Sequence, residues 1–177
     1  MLNKILKKIH NRFISDEEYA RKIGVKIGKK CVISSRGFSS EPYLIEIGDN
    51  VRIANEVRFF THGGLIPFRT PESDLDIFGK IKIGNSVHIG HGAYIMPGVT
   101  VGDRCIIGAG SVVAKSVPSG VVVAGNPAKI VSKVDDFLQR AKESDFSSKK
   151  LNYEQKKKLL LESCDDDRFI KKPYMKI

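Results

Sequence analysis

Aliphatic side chains recur at every sixth position. Ile83, Ile89, Ile95, Val101, Ile107 and Val113 follow one another at that interval without a break. Isoleucine and valine fill about one position in five of the 177 residues. Six consecutive hits in one register arise by chance on the order of once in ten thousand, so the pattern is an internal repeat. An earlier block carries it too, with Ile47, Ile53 and Phe59, preceded by Ile27 and Ile33. Glycine follows the large apolar residue at Gly28, Gly48, Gly84, Gly90, Gly102 and Gly108. Four residues after it comes a small or β-branched side chain: Val51, Val57, Val87, Ala93, Val99, Cys105, Ser111, Val117. Six residues are too few for a strand and a returning helix, and they suit one short strand and one turn. The large aliphatic points inward, and the glycine lets the chain bend where φ is positive. Three such units close a triangular coil, and coils stack by parallel pairing. The repeat therefore predicts a parallel β-helix, a solenoid whose coils touch mainly their neighbours.

The stretches IGNSVHIGHGAYIMPGVTVGDRCIIGAGSVVAKSVP and VVVAGNPAKIV resemble the hexapeptide-repeat acyltransferases. That family includes galactoside and maltose acetyltransferases, streptogramin acetyltransferases and bacterial surface-polysaccharide O-acetyltransferases, the branch this chain looks closest to. The resemblance runs from about Ile23 to Val131. It implies a left-handed winding, an exception to the usual right-handed crossover. It also implies a homotrimer with active sites between subunits and acetyl-CoA as co-substrate.

The repeat divides the chain. Residues 1–22 are expected to be an amphipathic helical segment, residues 23–131 the β-helix, and residues 132–177 a helical segment with a charged tail. On the first helix Leu2, Ile5, Leu6, Ile9 and Phe13 share a face, with Lys4, Lys7, Lys8 and Arg12 around it. Two readings of that face stay open: packing on the β-helix end, or peripheral contact of residues 1–14 with an anionic membrane surface. The repeat lapses over residues 61–80, HGGLIPFRTPESDLDIFGK and its preceding Thr61. A long segment without repeat inside a solenoid is usually a functional excursion. Beyond Val131, Ser132 with Asp135 reads as a helix N-cap, and Asn152 as a second. These helices are expected to cover the end of the β-helix.

Charge and cysteine content narrow the function classes. Lys and Arg outnumber Asp and Glu by 30 to 20, which favours an anionic partner. Residues 1–30 supply more than half of that excess. There is no Trp and no recognisable nucleic-acid-binding module, so no nucleic-acid partner is expected. Three widely spaced cysteines, Cys31, Cys105 and Cys164, make neither a disulfide framework nor a zinc knuckle. No apolar run reaches the roughly 18 to 20 residues of a membrane span. Lys4, Lys7 and Lys8 interrupt the stretch a secretory signal needs. A soluble cytoplasmic protein is expected.

Four histidines bear on the chemistry. His10 lies on the basic N-terminal segment. His62 stands where the repeat stops, in FFTHGG. An imidazole with the reference pKa near 6.5 is mostly neutral and basic at pH 7. It suits removal of a proton from a hydroxyl attacking a thioester. The family's catalytic histidine aligns with His62 through IGDNVRIANEVRFFTH. Related chains often carry an acid directly after it, where this chain has Gly63. The group that orients the imidazole is therefore open among Glu41, Glu56, Asp74 and Asp76. His88 and His91 form an H-x-x-H spacing, which raises a γ-carbonic-anhydrase-like zinc site. There the next ligand falls on Met96, a poor zinc donor, so no metal is expected. By resemblance, His91, Ala109, Ala114, Lys115 and Lys129 lie on the acetyl-CoA groove. No serine or cysteine has a visible base beside it, which favours direct transfer over an acyl-enzyme. The expected activity is acetyl transfer from acetyl-CoA to a sugar hydroxyl, with His62 as general base, in surface-polysaccharide biosynthesis. The alternatives are N-acetylation of a nucleotide-linked amino sugar, O-acetylation of a xenobiotic, and a metal-binding or non-enzymatic β-helix.

Overall fold

The computed structural model describes residues 14–164 and 166–175. The chain divides into two compact units after Val134. In the first unit the chain visits three sheets in turn. The first sheet holds the strands Lys26–Ile27, Ile45–Ile47, Ile81–Ile83 and Thr100–Val101. The second holds Val32–Ile33, Arg52–Ile53, His88–Ile89, Ile106–Ile107 and Val121–Ala124, with Lys129–Lys133 at its edge. The third holds Arg58–Phe59, Tyr94–Ile95 and Val112–Val113. All pairings but the last of the second sheet are parallel. Strands two to four residues long, taken in the order first, second, third and first again, make a three-sided parallel coil.

The sixth-position side chains fill its inside. Ile47, Ile83 and Val101 stack in register on one side. Ile33, Ile53, Ile89, Ile107 and Val123 stack on the second, and Phe59, Ile95 and Val113 on the third. Each is at most 7% exposed. The small positions are equally enclosed, from Val57 and Ala93 to Ser111. Each coil thus buries one large and one small side chain per face, which fills a narrow prism.

The glycines act differently from the expectation. Backbone φ is positive at Lys30, Asn50, Ser86 and Arg104, two residues beyond the repeat glycines. The repeat glycines themselves sit where one corner presses on the next. A Cβ on Gly48 would stand 2.8 Å from the carbonyl oxygen of Gly84, and one on Gly84 2.8 Å from the carbonyl carbon of Gly102. It is close stacking of corners that excludes a side chain there. The same corners carry a ladder of polar side chains. Asn85 Oδ1 accepts from the Asp49 N–H at 2.8 Å, Asp103 Oδ1 from the Asn85 N–H at 2.6 Å, and Ser119 Oγ from the Asp103 N–H at 2.9 Å. The backbone groups of each corner are thereby satisfied.

The prism is finished at one end by strand reversal. Lys129–Lys133 pairs antiparallel with Val121–Ala124, Ser132 opposite Val122. Ser132 thus lies in a strand just ahead of a helix. Its hydroxyl donates to the Lys133 carbonyl, and helix α2 begins at Val134. Ladder pairing with Val122 holds Ser132 in the strand, two residues ahead of the helix. Near the other end, helix α1 spans Asp16–Ile23. Ser15 caps it by accepting from the Glu18 N–H at 3.1 Å, Asp16, Glu17 and Glu18 occupy its first turn, and Gly24 ends it at φ 110°. Ile14 and Ser15 are not helical, so α1 covers only the last part of the segment expected over 1–22. Residues 1–13, with the amphipathic face and any membrane contact, lie outside the described residues.

The second unit contains α2 (Val134–Glu143) from Asp135 onward and α3 (Tyr153–Glu162). Asn152 caps α3 as expected, in a reciprocal box with Gln155. Phe146 and Phe169 pack 4.8 Å apart between ring centres, and the Arg168 guanidinium lies over Phe146. Among the described residues no helix is long and apolar enough to cross a membrane.

Candidate active site at the break in the repeat

The excursion leaves and rejoins the prism at one point. The Gly79 N–H donates to the Thr61 carbonyl at 2.7 Å, His62 pairs antiparallel with Phe78, and the Gly63 N–H donates to the Ile77 carbonyl at 3.1 Å. Farther out, Arg69 holds the loop together through Asp76 at 3.1 Å, Asp74 at 3.4 Å and the Leu75 carbonyl at 2.9 Å. His62 thus sits in a hydrogen-bonded neck at the end of the third sheet.

Thr61 is fully buried and its hydroxyl donates to Glu41 Oε2 at 2.7 Å. The same oxygen lies 2.9 Å from His62 Nδ1. The Thr61 hydroxyl foremost, then the imidazole, hold the Glu41 carboxyl well below the usual range, at about 2. Glu41 is therefore a carboxylate that only accepts. His62 Nδ1 must carry the proton between them, and in the neutral ring Nε2 is left as the free acceptor. The hydroxyls of Ser39 and Ser40 stand 3.4 and 3.3 Å from Nδ1.

Of the four acids considered from the sequence, only Glu41 reaches His62. Glu56 instead pairs with His91 Nε2 at 3.3 Å, and Asp74 and Asp76 serve Arg69. Glu41 comes from a lengthened first coil. Ile27 and Ile47, paired in register, are 20 residues apart, while Ile83 and Val101 are 18 apart. The extra residues swell the corner before the 3-10 turn Pro42–Leu44 and carry Glu41 toward the neck.

An open groove of about 820 Å³ borders His62. Its walls include Arg36, Phe38, Ser39, Ser40, Arg58 and Phe60, none of which the sequence singled out. The residues assigned to the donor lie lower on the same solenoid. His91 and Ala109 stack on the corner between the second and third sheets, the Gly110 N–H donating to the His91 carbonyl at 2.8 Å. Phe60, Met96 and Ala114 form one column beside the third sheet, below His62, through the Phe60 N–H to Ile95 and the Met96 N–H to Val113. Lys115 follows Ala114, and Lys129 follows Ala128, whose N–H donates to Val112 at 2.9 Å. All five donor-side residues are exposed. His88 lies outward on the second sheet between Arg52 and Ile106. Among the described residues no group of three or more His, Cys, Asp or Glu side chains is arranged to hold a metal ion.

Residues 80–115 match the family described as "Bacterial transferase hexapeptide (six repeats)". Protein CapG of Staphylococcus aureus is 41% identical over 172 residues, which cover 95% of this chain and 99% of CapG. A maltose O-acetyltransferase from Clostridium difficile 630 has 30% identity and a TM-score of 0.55, over 74% of this chain and 83% of that one. A hexapeptide-repeat-containing acetyltransferase from Vibrio cholerae, solved with acetyl coenzyme A, has 31% identity and a TM-score of 0.56, over 63% and 61%. With the repeat filling the inside of the prism and these relatives spanning most of its length, the chain belongs to the hexapeptide-repeat acetyltransferases.

Proposed function

We propose that this protein transfers acetyl from acetyl-CoA to a sugar hydroxyl, by direct transfer with His62 as general base. The observation that carries the reading is the 2.9 Å contact between His62 Nδ1 and an ionised Glu41. In the neutral ring it leaves Nε2 as the acceptor, its direction fixed by a second group. Acetyl-CoA supplies an activated acyl group whose thioester carbonyl the hydroxyl attacks. His62 Nε2 takes the hydroxyl proton as the carbon–oxygen bond forms, and it can return that proton to the departing thiolate. Glu41 is the positioning residue, which fixes the ring and offsets the positive charge on it during transfer. His91, Ala109, Ala114, Lys115 and Lys129 would hold the donor. Small exposed alanines leave room for a pantetheine arm, and the two lysines offer charge to its phosphates. The solved Vibrio cholerae relative with acetyl coenzyme A supports the donor, and the maltose O-acetyltransferase supports a sugar acceptor. The sequence resemblance supports a left-handed coil, a homotrimer with sites between subunits, and a cytoplasmic role in surface-polysaccharide assembly. It also supports the division into residues 1–22, 23–131 and 132–177.

The test is a thioester-cleavage assay with a panel of sugars, on wild type and His62→Ala. Loss of roughly 10²- to 10⁴-fold in turnover is expected, with the oligomer unchanged in solution. A variant that keeps its assembly and most of its turnover would overturn the assignment of the base.

A further inference from the structure

Arg58, Phe60 and His62 alternate along one extended segment with the buried Phe59 and Thr61. At i, i+2 and i+4 they share the outer face of the chain, and all three line the same groove. The row therefore reads cation, aromatic ring, base. Phe60 is braced edge-on by Tyr94, 5.6 Å between ring centres. At most about 13 Å of chain separates the Cα atoms of Arg58 and His62, so both side chains can reach one bound sugar unit.

None of the acids around the groove is paired with Arg58. Asp16 is paired with Arg36 at 2.6 Å, and Arg36 is further held by the Ile14 carbonyl and the Tyr19 ring. Glu56 is paired with His91, and Glu41 beside the groove with His62. Among the described residues Arg58 makes no ion pair and no side-chain hydrogen bond. Its stem lies across Gly37, whose backbone bridges to Arg58. A Cβ on Gly37 would stand 3.0 Å from Arg58 Cγ and closer still to the Val57 carbonyl oxygen. A side chain at position 37 would thus crowd the stem, and glycine leaves the guanidinium its place in the groove.

We propose that Arg58 reads an oxyanion on the acceptor, so that the sugar acetylated here is an acidic one. The inference rests on the proposed transfer to a sugar at His62. The sugar ring packs on Phe60, presents a hydroxyl to His62 Nε2, and places its anionic substituent against the guanidinium, whose planar fork matches a carboxylate or phosphate. The two sources of that oxyanion are a uronic acid and a sugar phosphate.

The full-length protein is assayed with acetyl-CoA and glucose, glucuronate, glucose 1-phosphate or glucose 6-phosphate, and with the galacto and manno counterparts. Wild type is expected to use at least one acidic sugar about ten- to a hundredfold better in kcat/KM than its neutral parent. Arg58→Gln should abolish that preference through the acceptor KM, with the KM for acetyl-CoA unchanged. Arg58→Lys should keep part of it. Preference for the uronates assigns the carboxylate, and preference for the phosphates assigns the phosphate. Equal use of neutral and acidic sugars, an equal loss with all acceptors in Arg58→Gln, or a raised KM for acetyl-CoA overturns the inference while leaving the transfer reaction standing. Should no sugar be acetylated, the transfer reading itself fails. Calorimetric titration of the same acidic sugars into wild type and Arg58→Gln then still decides. Binding lost on substitution upholds the oxyanion site, and equal or absent binding removes it.

Discussion

Replacing Glu41 with glutamine isolates the orienting contact with almost no change of volume. In the wild type one carboxylate oxygen accepts from both Thr61 Oγ1 at 2.7 Å and His62 Nδ1 at 2.9 Å. A glutamine offers one acceptor and one donor group. If its amide nitrogen faces the imidazole, Nδ1 must become the acceptor and the proton moves to Nε2, the atom that should be free. If its oxygen faces the imidazole, the tautomer survives, but no negative charge meets the ring as it becomes an imidazolium. Either outcome removes one charge-assisted hydrogen bond from the transition state, so turnover should fall about tenfold to a hundredfold. The ceiling is the whole contribution of the base, roughly 10²- to 10⁴-fold. Because Glu41 does not line the groove, the KM values should stay within about a factor of two or three. The assay is steady-state thioester cleavage across pH 5 to 9. With its carboxyl held at about 2, Glu41 stays ionised throughout, so the wild-type profile should show no acidic limb near the ordinary carboxylate value. An unchanged kcat in Glu41→Gln, or a loss expressed wholly in KM, would refute the orienting role.

Glu41 also carries a stability signature. Its carboxyl is lowered from 4.5 to about 2 in the folded protein, so the stability it contributes is fully present above about pH 4.5. That contribution drains away as pH falls toward 2. The gap in melting temperature between wild type and Glu41→Gln should shrink over that interval in acid-scanning calorimetry. Gly84→Ala should destabilise the prism by about 1 to 3 kcal/mol, because its methyl would stand 2.8 Å from the Gly102 carbonyl carbon. Urea unfolding would read this as a lower midpoint at unchanged slope. Ile89→Ala empties a fully buried site between Ile53 and Ile107. It should cost about 2 to 5 kcal/mol in the same experiment, and a loss below 1 kcal/mol would contradict the stacking.

The prism was legible because its physics is local and repeated. One coil buries its large side chain against the same position of the next, so the inside of the solenoid is written directly into the spacing of Ile83, Ile89, Ile95 and their successors. His62 was legible as the place where that spacing stops. The role of the repeat glycines was not, since positive φ and close approach select the same residue, and only stacked coordinates separate them. Ser132 shows another limit: its strand partner Val122 lies ten residues upstream, and no local pattern announces that ladder. Arg58 could not be recognised from its surroundings in sequence, because its meaning lies in what the other charges of the groove are doing. Arg36 and Asp16, 20 residues apart, cancel each other, and Glu56 turns to His91, which leaves the guanidinium at 58 without a counterion among the described residues.

A solenoid this regular has no intrinsic place for chemistry, since each coil offers the same faces as the last. Two departures from the 18-residue coil meet at one corner. The first coil is lengthened by two residues on the way to Ile47. The passage from Ile47 to Ile83 takes 36 residues, so the excursion inserts the length of a whole further coil. One departure brings Glu41 and the serines, and the other fixes His62 in a neck whose backbone is hydrogen-bonded to the prism. The acid and the base come from different coils, 21 residues apart in sequence, yet each is mounted next to a strand it cannot move without breaking the stack. A site assembled this way is rigid because the repeat is rigid and particular because the repeat is interrupted. Substitutions in the far coils should therefore lower stability before they alter the chemistry, whereas changes in the two departures should do the reverse.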